Sequence, residues 1–93
     1  MSSIRPTSSN STIYTQLLDS IDSNITHLDK DHERLIFNAV EYFVKKYSSE
    51  TALNTKLIGL CDTLRDMVKN GTEHDDGSAE KLQGIVGEAR KLL

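Results

Sequence analysis

The chain has 93 residues, with 11 basic and 14 acidic side chains and a formal charge of −3. That length holds one domain, and the acidic balance argues against nonspecific nucleic-acid binding, which needs a dense positive field. Leu, Ile, Val and Phe supply 24 of the residues, above the roughly 20% floor below which chains fail to collapse.

A lone cysteine, Cys61, makes no intrachain disulfide, which points to a reducing compartment and a cytoplasmic location. No run of residues is apolar enough to cross a membrane. The opening MSSIRPTSSNST has no apolar segment of the kind a secretory signal needs.

Residues 1–11 are serine-rich, hold the only proline, Pro6, and show no apolar period. They are expected to form a disordered tail that folding does not require. Tyr14, Leu18, Ile21, Ile25 and Leu28 then follow at the 4-3-4-3 spacing of an amphipathic helix, with Ser11 or Thr12 as its cap. Thr26-His27-Leu28-Asp29 has the form of a capping box, which predicts a break and a second helix. The apolar repeat also continues through Leu35, Ala39 and Tyr42 with no Gly or Pro between, so one long helix over 12–47 is the alternative.

The second helix is predicted over Lys30–Tyr47. Ser48-Ser49-Glu50 ends it, with a serine to cap the next helix and Glu50 in the first turn of that helix. Leu53, Leu57, Leu60, Leu64 and Met67 mark the third helix, closed by Lys69-Asn70-Gly71. Gly71–Gly77 reads as a loop. Ser78 is expected to cap a fourth helix whose inner face is Ala79, Leu82, Ile85 or Val86, Ala89 and Leu93. Gly84 and Gly87 each cost that helix about 1 kcal/mol relative to alanine. No segment alternates with period two. The expected fold is all-α: an up-down antiparallel bundle of three to four helices spanning 12–93.

The usual reactive constellations are absent from the sequence. On a continuous helix His27 and His32 point about 140° apart, and no HExxH or CxxC spacing supports zinc. Neither a metal nor a cofactor is expected. Asp22, Asn24, Thr26 and Glu33 fall at ligand positions of a calcium loop, but His27 stands where its turn needs glycine. Cys61 lies on the apolar stripe of the third helix, where an inert thiol is expected. A small enzyme or phosphocarrier using His32 or Cys61, or a helical nucleic-acid-associated regulator, stays as the alternative class of function.

The second helix carries the informative feature. Leu35, Ile36, Phe37, Ala39, Val40, Tyr42, Phe43, Val44 and Tyr47 sweep roughly 220° of its circumference. A bundle helix buries a narrower stripe, so either this helix is central, with all others packed on it, or part of the arc meets another chain. Leu35, Ala39 and Tyr42 are assigned to the core. Phe37, Val40, Phe43, Val44 and Tyr47 are the candidate partner-binding residues.

Tyr42 to Ala52 has a distant resemblance to the LisH dimerisation motif. Tyr42, Thr51 and Ala52 match, and Phe43 stands for its leucine. Tyr47 and Ser48 replace its Gly-Tyr, so that family's turn chemistry is missing. The resemblance implies an association surface in the same region. The function expected is a non-catalytic protein-protein interaction module, a small regulatory or adaptor protein that forms a homodimer or binds a protein partner.

Overall fold

The computed structural model describes residues 8–93. They form four α-helices, α1 (Ser8–Thr26), α2 (Lys30–Lys46), α3 (Thr51–Asn70) and α4 (Ser78–Arg90), with no strand among the described residues. The all-α bundle expected from the periodicity is the fold.

Helix α1 begins at Ser8, so residues 8–11 are its first turn and not tail. The rest of the expected tail, residues 1–7, lies outside the described residues. Asn10 Nδ2 donates to Glu50 Oε2 at 2.8 Å. This long-range contact, which apolar spacing does not reveal, ties the start of α1 to the α2–α3 turn.

The expected break between α1 and α2 is present, but the capping box is not: Thr26 is the last residue of α1, its hydroxyl donating to the Ser23 carbonyl at 2.7 Å, and the cap of α2 is Asp29. Asp29 is extended and accepts the His32 N–H at 2.9 Å, satisfying one of the free donors of α2. The α2–α3 turn differs in detail from the expectation. Glu50, not a serine, occupies the cap position of α3 and makes no side-chain cap hydrogen bond; its carboxylate accepts from Asn10.

Gly71 ends α3 at φ 71°, and Thr72 N–H donates to the Met67 carbonyl at 2.8 Å, which closes the helix end as anticipated. Gly77, at φ 86°, is the cap of α4. Ser78 is displaced from that role: its hydroxyl donates to the Thr72 carbonyl at 2.7 Å and braces the loop.

The helices form a ring. Each backbone packs against its two neighbours, α1 on α2 and α4, α3 on α2 and α4, with no diagonal approach. Helix α2 is therefore a corner helix and not the centre of the bundle. Tyr14, Leu18, Ile21, Ile36, Leu57, Leu60, Leu64, Leu82 and Val86 fill the core.

All five stripe residues of α3 are buried as expected. On α4 the buried face is Ser78, Leu82, Val86 and Ala89, while Ala79 is exposed. On α2 the buried stripe is Glu33, Ile36 and Val40. Leu35 and Tyr42, assigned to the core from the sequence, are each 55% exposed.

Candidate interaction surface

The five residues proposed as one surface divide into three groups. Val40 is buried at 3% exposure and belongs to the core. Phe43 and Tyr47 turn toward α1 and form an aromatic cluster with Tyr14, with ring centroids 5.4 Å apart for Tyr14–Phe43 and Phe43–Tyr47 and 5.7 Å for Tyr14–Tyr47. Phe37 and Val44 stay half-buried on the α3 side. The difference has a simple cause. With apolar residues over most of α2, periodicity fixes the helix but not its rotation, and Ile36 and Val40 take the inward phase.

Phe37 and Val44 border a groove between α2 and α3 of about 380 Å³, with Val40 and Cys61 along its floor and Ile58 on the far wall. Ile58 is 45% exposed. Two ion pairs edge the groove, Lys45–Glu41 at 3.7 Å and Arg65–Asp62 at 3.1 Å. The Arg65 guanidinium lies 5.3 Å from the Phe37 ring centroid, capping one end. The charges are thus paired within the chain, and what the groove offers is apolar surface. Burial pushes the Cys61 thiol up to about 11, so it is a protonated, weakly reactive part of the floor.

Beneath the aromatic cluster Asn54 is buried. Its Oδ1 accepts from the Tyr14 hydroxyl at 2.7 Å, and its Nδ2 donates to the Tyr47 carbonyl at 2.8 Å. Burial, followed by the charge of Glu50, pushes the Tyr14 phenol up to about 12, so it is a permanent donor. Sequence reasoning passed over Asn54. The signal was a polar residue on the same face as Leu57 and Cys61.

The histidines do not behave as a continuous helix would arrange them. The chain breaks between His27 and His32, and their rings approach to 6.5 Å between centroids. His32 Nδ1 lies 2.7 Å from Asp29 Oδ1. Among the described residues no three His, Cys, Asp or Glu side chains converge as metal ligands, and no helix is long and apolar enough to cross a membrane. Glu33 is 7% exposed. Burial and then Glu73 raise its carboxyl above the usual range.

No family model matches the sequence, and no curated protein or solved structure matches it.

Proposed function

We propose that this chain is a non-catalytic interaction module that receives an apolar segment of a protein partner in the α2–α3 groove. The supporting observation is the groove itself: Phe37, Val44 and Ile58 leave apolar surface open to water beside ion pairs already satisfied within the chain. Burying such a surface stabilises a complex by about 25 cal/mol per Å² before the costs of association. An amphipathic helix presenting residues at i, i+3 or i+4 and i+7 is the ligand shape that a groove between two helices accepts.

The test is site-specific photocrosslinking in the native cell from a benzoylphenylalanine at position 58. A discrete crosslinked protein that disappears in Val44→Glu, with helicity retained, supports the reading. A probe that captures nothing, or captures the same species in the Val44→Glu background, overturns it.

A further inference from the structure

The edge of α2 opposite the groove presents a different surface. Leu35 and Tyr42 are each 55% exposed. Asp31 and Lys46 are exposed too, and neither makes an ion pair with a described residue. At 100° per residue these four side chains fall within an arc of about 60°, roughly 150° around the helix from Phe37 and Val44. Lys46 Nζ donates to the Tyr42 hydroxyl at 3.0 Å and lies over that ring, so the ammonium and the aromatic form one patch.

The arrangement is symmetric along the axis. Asp31 and Lys46 lie equally far from a midpoint between Asn38 and Ala39, and so do Leu35 and Tyr42. We propose that this edge pairs with the same edge of a second copy of the chain, two α2 helices antiparallel about a two-fold axis at that midpoint. Leu35 then packs on Tyr42 of the other copy, Asp31 meets the other copy's Lys46, and each contact occurs twice. Asn38 and Ala39 flank the axis, one on each side. Asp31 and Lys46, which pair with no described residue, are brought together by the symmetry, and antiparallel helix dipoles favour the same orientation. One helix face about 25 Å long buries less than the roughly 800 Å² per partner of a standard interface. The dimer is therefore weak, with dissociation in the micromolar range or above.

The surface is separate from the α2–α3 groove, so the inference stands or falls independently of the function proposed there. Sedimentation equilibrium on the full chain, from micromolar to millimolar concentration, is the first measurement. A monomer–dimer equilibrium is expected. Asp31→Lys and Lys46→Glu should each weaken it about tenfold, and the double swap should restore it, because the pairing is re-formed with reversed sign. Circular dichroism checks each variant for folding. Leu35→Glu and Tyr42→Glu, at exposed positions, provide the same weakening should a charge swap unfold α2.

Asn38→Cys gives a reading independent of charge. The native thiol is buried, so a disulfide-linked dimer forms under mild oxidation when the axis passes beside position 38. A chain that stays monomeric throughout overturns the inference. So does a double swap as weak as the single ones, or a dimer that Ile58→Glu dissolves and Leu35→Glu leaves intact.

Discussion

Individual side chains divide into structural and titrating roles. Cys61→Ala is expected to cost about 1 kcal/mol through the small void it leaves, and the native thiol should alkylate slowly in the folded protein. Fast labelling would contradict its burial. Asn54→Ala strands a buried phenol and a turn carbonyl, and should cost about 1–3 kcal/mol in denaturant unfolding. Glu33 acts in the opposite sense. Its native carboxyl holds a proton more tightly than the unfolded one, so its contribution to stability is complete below the ordinary value of 4.5 and is lost as pH rises through the raised native value. Glu33→Gln should therefore raise the melting temperature at neutral pH and change it less near pH 4. Asp29 and Glu88, whose carboxyls are lowered by hydrogen bonds from His32 and Lys56, work the other way, losing their contribution as pH falls. Comparing the variant with wild type across pH isolates Glu33 from them.

At the scale of the helices, α4 is the element open to improvement. A methyl group built on Gly84 or Gly87 meets nothing within 4 Å, so neither glycine serves close packing. Gly84→Ala is expected to stabilise by about 1 kcal/mol, raising the melting temperature by roughly 4–8 °C. Gly71→Ala should do the reverse by about 1 kcal/mol, because that residue sits at φ 71°. Calorimetry on the two variants reads both signs. The helices also show what the sequence makes legible. Helix α3 has a strict 4-3-4-3 stripe, a glycine stop and one possible phase, and all three were readable. The α1–α2 break was readable from the polar Thr26–Asp29 segment, although the residue that satisfies the free N–H of α2 is Asp29 and not Thr26. Helix α2 was not readable in rotation: Leu35 and Ile36 are equally apolar, and only the neighbours decide which turns inward. The candidate surface inherited that error. Phe37 and Val44 keep a half-buried place beside the groove and Val40 turns into the core, while Phe43 and Tyr47 are drawn into packing by Tyr14 and Asn54, partners too far along the chain for local periodicity to show.

For the molecule as a whole, stability rests on closing the ring of helices, and the α1–α4 side is joined at its surface by charge. Arg90 Nη2 reaches Asp19 and Asp22, each at 2.8 Å. Asp19 is open to solvent, and Arg90 and Asp22 are about one-third exposed, so Arg90→Ala should cost about 1 kcal/mol, and raising the salt concentration should shrink the difference from wild type. Deleting residues 1–11 removes the first turn of α1 together with the Asn10–Glu50 hydrogen bond. The loss expected is about 1 kcal/mol, or roughly 4–8 °C in melting temperature. An unchanged midpoint would mean that this turn contributes nothing.

The diagonal link from Tyr14 to Asn54 also bears on handedness. Four amphipathic helices joined by short turns can wind around their core in either sense, and apolar packing alone separates the two arrangements poorly. In the mirror arrangement α1 and α3 still start at the same end, but each turns a different edge toward its diagonal neighbour, and an amide and a phenol buried there without each other cost about 1–3 kcal/mol apiece. One polar side chain near the base of α3 thereby rejects the competing topology. A variant with leucine at position 54 would be expected to keep its helices while its amide resonances broaden or double, as two windings come into exchange.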